Sequence, residues 1–270
     1  MSPPDDTTRL RDEITAIEWY HTFELAPGVV TPGWFDLREV AANVPWPDMR
    51  GKRCLDVGTF DGFWAFEMER RGAAEVVAID LIDPTRWDWP NMPAGDVVDA
   101  IAKRKGTGSG FEIVRGALAS TVKRIEMSVY DLDPAEVGRF DVVYVGSLLL
   151  HLRDPVKALE RVHAVCDGEV VVVDAIDLWL TTLHPRRPMA TLDGLRRPWW
   201  WKPNLAGLVR MIESAGFRII GRPQRLYMPP GAGQQKPPIR PRILASRSGR
   251  EALLLARKGD PHAAVRAAPR

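Results

Sequence analysis

Short apolar runs recur over 52–57, 75–80, 125–130, 140–146, 168–175, 216–222 and 250–257, several of them rich in Val and Ile. Runs of this length between turn residues predict strands, and their near-continuous hydrophobicity predicts burial on both faces of a sheet. Between them, apolar residues return at helical spacing over 62–71, 110–121, 155–165 and 204–215. Strands alternating with helices predict an α/β fold with a parallel sheet, helices on both faces and a final hairpin from the last two runs. An amphipathic pattern over 7–20 predicts an N-terminal helix, and the Gly/Pro-punctuated stretch after it, through Pro32 and Gly33, should fold back over the carboxyl edge of the sheet.

One βαβ unit is more specific than the rest. From Cys54 to Asp80 the chain reads CLDVGTFDGFWAFEMERRGAAEVVAID: a run ending in Asp56, a turn with Gly58 and Gly62, a helical pattern, and a run ending in Asp80. Such a unit puts its turn and both carboxylates at the carboxyl ends of parallel strands, where α/β sheets bind nucleosides. The glycines let backbone approach a ligand that a Cβ would repel, and Asp80 can accept two hydrogen bonds from ribose hydroxyls, so the ligand is an adenosine cofactor. A dinucleotide needs Gly-x-Gly-x-x-Gly, with its pyrophosphate on the helix N-terminus. Here Thr59 follows Gly58, Phe60 stands at the middle glycine position, and Asp61 stands at the helix mouth. A carboxylate there repels a pyrophosphate and attracts a cationic sulfonium, which favours S-adenosylmethionine over NAD.

With these motifs the chain resembles a class I S-adenosylmethionine-dependent methyltransferase over roughly residues 50–258. The resemblance implies a Rossmann-like, seven-stranded sheet with helices on both faces. It implies that Asp56 and the turn Gly58, Thr59, Phe60, Asp61 and Gly62 hold the methionine end, and Asp80 and Leu81 the ribose. In SVYDL, Tyr130 and Asp131 would meet the adenine; in FDVVYVGSLLLHLRDP, residues 140–155, Gly146 and Ser147 open the loop beneath the methyl group. IEWYHTFELAPGVVTPGWFDLREV, residues 17–40, joined to the βαβ unit, is similar to short bacterial relatives of the tRNA wobble-uridine carboxymethyltransferase family. That family grips the extra carboxylate of carboxy-S-adenosylmethionine with a lysine before the sheet and a tyrosine before the histidine of the fourth-strand loop. This chain has no lysine before Lys52, and Leu150 precedes His151. A buried carboxylate lacking both partners is strongly disfavoured, so plain S-adenosylmethionine is the expected cofactor.

Composition changes this picture little. The 270 residues suit one catalytic domain: an N-terminal helix and lid over 1–48, a methyltransferase domain over 49–258 with insertions at about 83–110, 179–203 and 222–249, and a disordered tail over 259–270. No stretch of 18 residues is apolar throughout, and MSPPDDTTRLRDE lacks the basic and apolar regions of a signal peptide, so a soluble cytoplasmic protein is expected. Cys54 and Cys166 read as reduced core residues, and no metal-ligand spacing is present. Asp174 and Asp177, after the fifth run, are the carboxylates that a Mg²⁺ would use. The net charge of +2 conceals a segregation: from Arg186 to Arg250, 14 Lys and Arg face only Asp193 and Glu213. This stretch is either a solvated arginine-rich surface or a face for a phosphate-bearing partner such as RNA.

Specificity falls to the insertions and the lid. Ten tryptophans include Trp87 and Trp89 in the first insertion and Trp199-Trp200-Trp201 in the second. Flat indole faces suit sugars, bases and aromatic metabolites, so the triplet, with Trp34 and Tyr20 of the lid, is assigned to the substrate, and the insertions could also carry a homodimer contact. His151, in the loop facing the methyl group, has the pKa to take an alcohol proton; His21 and Glu24 of the lid are the alternatives. The expected activity is O-methylation of a hydroxyl on a saccharide, such as a mannose-based polymethylated polysaccharide precursor, or on another polar metabolite. The alternatives are a tRNA wobble-uridine (carboxy)methyltransferase and a non-catalytic cofactor-binding subunit.

Overall fold

The computed structural model describes residues 6–90, 99, 102–103, 108–192, 199–234 and 259–270. In the N-terminal segment β1 (Glu24–Ala26) and β2 (Val29–Val30) form a hairpin. Further along come β3 (Arg53–Val57), β4 (Glu75–Asp80), β5 (Lys123–Glu126), β6 (Phe140–Gly146), β7 (Cys166–Ala175), a ribbon of β8 (Ala190–Leu192) with β9 (Trp201–Pro203), β10 (Phe217–Met228) and β11 (Asp260–Pro269). Seven of these make one sheet in the order β10-β11-β7-β6-β3-β4-β5. The strands from β7 through β5 are parallel, and β11 runs antiparallel to both of its neighbours. The strand order reverses between β3 and β6, and the crevice at their carboxyl ends is where such a sheet binds its ligand.

Both faces of the sheet are covered, as the unbroken apolar runs require. Cys54, Val142, Tyr144 and Val173 pack against Phe63, Phe66 and Phe111 and against Trp19 and Phe23 of the N-terminal segment. Leu55, Val57, Val143 and Val172 face the other way, onto Leu159, Val162, Leu208 and Ile212. The helices Phe63–Arg70, Ser109–Ala117, Pro155–Val165 and Leu205–Ser214 lie where the periodicity predicts. Asp154 and Pro155 start one of them, the carboxylate accepting from Lys157 N–H at 2.9 Å while Pro155 occupies a position with no intrahelical donor duty.

Several expected boundaries move. The N-terminal helix is Asp6–Thr15 and does not reach Tyr20, because the chain turns to bury Trp19, whose indole N–H donates to Ile14 O at 2.9 Å. β5 begins at Lys123, and Val129–Asp131 is a 3₁₀ turn. β10 continues through Pro223, which reads as a strand end; the register shift between Ile220 and Gln224 on this edge strand accommodates the proline. The second half of the third insertion, 235–249, and the run 250–257 lie outside the described residues. The tail is not disordered: Asp260–Pro269 is β11, pairing with β7 and β10, with Ala263, Ala264, Val265 and Ala267 fully shielded. Its alanines carry no strand signal of their own, and the strand exists because two neighbours supply its partners.

Candidate active site

The glycine turn follows β3 at the carboxyl edge of the sheet, next to the switch point, and is tied to the end of β4. Gly58 and Thr59 donate to Ile79 O, and Gly62 donates to Thr59 O at 2.8 Å. Gly62, at φ +94°, must be glycine because a Cβ would stand 2.3 Å from the Phe66 ring, so packing beneath the turn decides this position rather than the close approach of a ligand. Phe60 is a bulky residue in the left-handed region at φ 52°, a strained conformation. Asp80 holds it there: Oδ2 accepts from Phe60 N–H at 2.6 Å and Oδ1 from Leu81 N–H at 2.7 Å. A carboxylate has about four acceptor positions, so Asp80 keeps capacity for ribose hydroxyls.

Asp56, at the end of β3, is 1% exposed. Its Oδ2 and Thr59 Oγ1 are buried and make no well-formed hydrogen bond among the described residues, although the Thr59 hydroxyl lies close enough to offset part of the cost of burying the carboxyl. Orphaned polar atoms at the carboxyl edge of a nucleoside-binding sheet suit a polar ligand group, which fits the methionine end of the expected cofactor. Burial pushes the Asp56 carboxyl up to about 7. Between the unfolded value of 3.8 and about 7 the native carboxyl therefore binds a proton that the unfolded chain releases. The cost of ionising Asp56 in place grows across that window and is complete above it. Asp56→Asn should stabilise the ligand-free protein by roughly 1–3 kcal/mol at pH 8, and by less at pH 5. Thermal melts at the two pH values check this, and an equal or absent gain would contradict it.

The N-terminal segment closes over this turn. Asp61 stands at the helix mouth as expected, but its oxygens are taken up by the lid: Oδ2 accepts from Tyr20 N–H at 3.1 Å and His21 N–H at 2.9 Å, and Oδ1 lies against His21 Nδ1. Its geometry is that of a fastener rather than of a carboxylate turned to a sulfonium. His21 is buried with Nδ1 committed to this pair, which removes that nitrogen from acid–base work. Glu24 is exposed on β1 and accepts from Gly28 N–H at 3.2 Å, which stabilises the hairpin turn. Tyr20 stacks on Phe60, with centroids 4.3 Å apart, and lies 6.4 Å from the Trp34 ring. Burial, then the carboxylates of Asp61, Asp260 and Asp174, push its phenol up, so Tyr20 remains a hydrogen-bond donor.

On the opposite side of the crevice, β6 ends at Gly146 and leads through Ser147 to the 3₁₀ turn Leu149–His151. Asp174 anchors this loop: Oδ2 accepts from Leu148 N–H at 2.9 Å and Leu149 N–H at 2.7 Å, Oδ1 from Ala175 N–H at 2.8 Å, and burial pushes the carboxyl up to about 6. Asp177 caps the helix Leu178–Leu183 through Leu180 N–H. Both aspartates considered for a metal thus serve as backbone acceptors. Tyr130 donates to Asp88 Oδ2 at 2.9 Å and accepts from Asp154 N–H at 3.1 Å, so its hydroxyl is engaged, while Asp131 is exposed at the end of its turn.

Asp88, which nothing in the sequence singles out, joins both insertions to the His151 turn. Its Oδ2 also accepts from Arg153 N–H at 2.6 Å, and its carbonyl accepts from the Trp200 indole at 2.5 Å. Trp200 N–H donates to Leu150 O at 2.7 Å, and the Trp201 indole donates to Arg153 O at 3.0 Å. Trp199, Trp200 and Trp201 are all half-buried, and Trp87 stacks on Trp89 with centroids 5.4 Å apart. The tryptophan segment is therefore bonded to the chain on both sides of His151, at Leu150 and Arg153.

Residues 33–221 match the family described as a methyltransferase domain. The chain belongs to that family. The cofactor of the family is S-adenosylmethionine, in agreement with the expected ligand. Among curated relatives, a tRNA U34 carboxymethyltransferase of Alcanivorax borkumensis is 30% identical over 173 residues, 63% of this chain and 46% of that protein. The Campylobacter hominis protein of the same name is 23% identical over 202 residues, 73% of this chain and 61% of that protein. The chain thus spans about half the length of the curated relatives it matches. Among solved structures, EvdMO1 superposes with a TM-score of 0.57 at 17% identity, covering 98% of this chain and 48% of that one. Burkholderia thailandensis 1,6-didemethyltoxoflavin-N1-methyltransferase gives 0.50 at 18% identity, covering 86% of this chain and 77% of that one. At such identity these two likenesses establish the fold alone, the Rossmann-like methyltransferase sheet. No helix among the described residues is long and apolar enough to cross a membrane.

Proposed function

We propose that this domain is an S-adenosylmethionine-dependent O-methyltransferase acting on a hydroxyl of a saccharide or a similarly polar metabolite. Asp56, Thr59 and the turn from Gly58 to Gly62 would hold the methionine end, Asp80 and Leu81 the ribose, the Tyr130–Asp131 turn the adenine, and Gly146 and Ser147 the region beneath the methyl group. The cofactor supplies an electrophilic methyl on a sulfonium. The chain supplies alignment and a proton acceptor. His151 takes the proton of the attacking hydroxyl, and Trp199, Trp200, Trp201 and Trp34 with Tyr20 offer flat faces and a donor to the substrate.

One observation carries this reading. The turn bearing His151 is anchored at Leu148 and Leu149 by Asp174 and at Leu150 by Trp200 N–H, so the backbone that carries His151 is held at the end of β6 and joined to the tryptophan segment. The tRNA-modifying reading has support of its own in the names of the curated relatives and in Arg218, Arg222 and Arg225, exposed on edge strand β10. Against it, Leu150 and the lysine-free stretch before Lys52 provide no partner for the carboxylate of carboxy-S-adenosylmethionine.

Release of S-adenosylhomocysteine from S-adenosylmethionine, measured against a panel of glycosides and against tRNA, tests the proposal. Turnover with a hydroxylated glycoside is expected. In competitive binding the carboxylated cofactor should bind no better than S-adenosylmethionine, because its extra carboxylate loses water without gaining a cation. A clear preference for the carboxylated form, together with turnover on tRNA alone, would overturn the reading.

A further inference from the structure

His262 has no part in the roles above. It lies near the start of β11, opposite Ala175 of β7, and is 6% exposed. Its Nε2 is 3.0 Å from Ser147 Oγ, and its Nδ1 is 3.1 Å from Asp260 O. A carbonyl oxygen only accepts, so Nδ1 carries the ring hydrogen, and in a neutral imidazole Nε2 is then a bare lone pair. Burial pushes His262 down to about 4, Lys202 lowers it as well, and the Asp260 carbonyl and carboxylate oppose them, so the ring is neutral near pH 7. The Ser147 hydroxyl must therefore donate to Nε2, and only its acceptor lone pairs remain for another partner. Ser147 is also a non-glycine residue at φ 49°, a strained conformation kept in place by Ser147 N–H donating to Val173 O at 2.8 Å and by the bond to His262. This locked hydroxyl follows β6 directly, and the Leu148 side chain beside it packs 3.3 Å from where a Cβ on Gly58 would stand. Ser147 thus lies between β6 and the His151 turn, and it is its neighbour Leu148 that borders the glycine turn.

We propose that His262 is a positioning residue that holds the Ser147 hydroxyl as an obligate hydrogen-bond acceptor for a second hydroxyl of the substrate, next to the one His151 deprotonates. The inference rests on the hydroxyl reading above and sharpens it: the substrate is a polyol with at least two neighbouring hydroxyls, as in a sugar ring. An aliphatic monoalcohol has nothing to give Ser147. A Ser147 hydroxyl left free to rotate would offer its own hydrogen in place of a lone pair.

The test uses the full chain with S-adenosylmethionine and the best glycoside from the screen, alongside its analogue deoxygenated at the neighbouring carbon. Ser147→Ala and His262→Ala should each lower kcat/KM on the glycoside by about 10- to 100-fold, mainly through KM, and the double variant should be no worse than Ser147→Ala. On the deoxy analogue the same substitutions should change little. His262→Gln, whose amide oxygen can accept from Ser147 but cannot take up a proton, should recover to within about fivefold of wild type. Two measurements need no turnover: calorimetry should show S-adenosylhomocysteine affinity of the His262 variants unchanged within about threefold, and ¹⁵N NMR should show His262 neutral and protonated at Nδ1 near pH 7. Ser147→Ala at wild-type efficiency on the glycoside would overturn the proposal. So would His262→Gln as impaired as His262→Ala at an unchanged melting temperature, or a spectrum with the hydrogen on Nε2. Methylation of tRNA alone would overturn the hydroxyl reading and the polyol with it, whereas the NMR result tests the Ser147–His262 bond irrespective of the substrate.

Discussion

His151→Ala is expected to lower kcat on the true substrate by about 10²- to 10⁴-fold, the range that general-base assistance contributes, with S-adenosylhomocysteine affinity nearly intact. The separation of the two effects follows from how the turn is built. Asp174 and Trp200 hold the backbone at Leu148, Leu149 and Leu150, so removing an imidazole from the end of the turn leaves those bonds in place. The pH profile supplies a second criterion. An imidazolium cannot accept a hydroxyl proton, so the wild-type rate should fall as pH drops through the imidazole titration, and the variant should lose that acidic limb. A variant within threefold of wild type would leave catalysis to alignment alone, since His21 is committed to Asp61 and Glu24 faces solvent. An equally large loss of product affinity would make His151 a structural residue of the cofactor pocket.

Asp80→Ala should weaken binding of S-adenosylhomocysteine by about 10- to 150-fold, the worth of roughly 1.5–3 kcal/mol for charge-assisted hydrogen bonds to the ribose. The structure adds a second route to the same loss. Asp80 Oδ2 holds Phe60 N–H in its strained conformation, and Phe60 carries the Tyr20 ring of the lid, so the substitution also frees the turn to relax. Asp80→Asn should be milder than alanine, because one carbonyl oxygen can still accept from Phe60 while the amide nitrogen cannot accept from Leu81. Calorimetry decides the matter, and unchanged affinity in Asp80→Ala would remove Asp80 from the cofactor site.

The central βαβ unit was legible because its signals are local. Asp56, the glycine turn and Asp80 are defined by neighbours within a few residues, and each apolar run or helical period reports its own environment without reference to distant chain. The four principal helices, the parallel strands β3, β4, β6 and β7, and the start at Asp154-Pro155 came from such signals. What failed depends on contacts across long stretches. The segment 260–269 becomes a strand because β7 and β10 leave a gap of the right width, and Pro223 is tolerated because β10 is an edge.

Side-chain direction was the other thing beyond reach. The sequence by itself determined the fold class, the carboxyl-edge location of the cofactor motifs and the absence of a dinucleotide fingerprint, since composition and spacing within one unit suffice for these. Only the tertiary structure decided what each polar group faces. Asp61 closes on His21, 40 residues earlier; Asp174 serves the β6 loop, 25 residues earlier; His262 reaches Ser147 across 115 residues. A hydrogen bond needs its two groups within about 3 Å and aligned, and a sequence carries no trace of that meeting when the partners lie on separate strands.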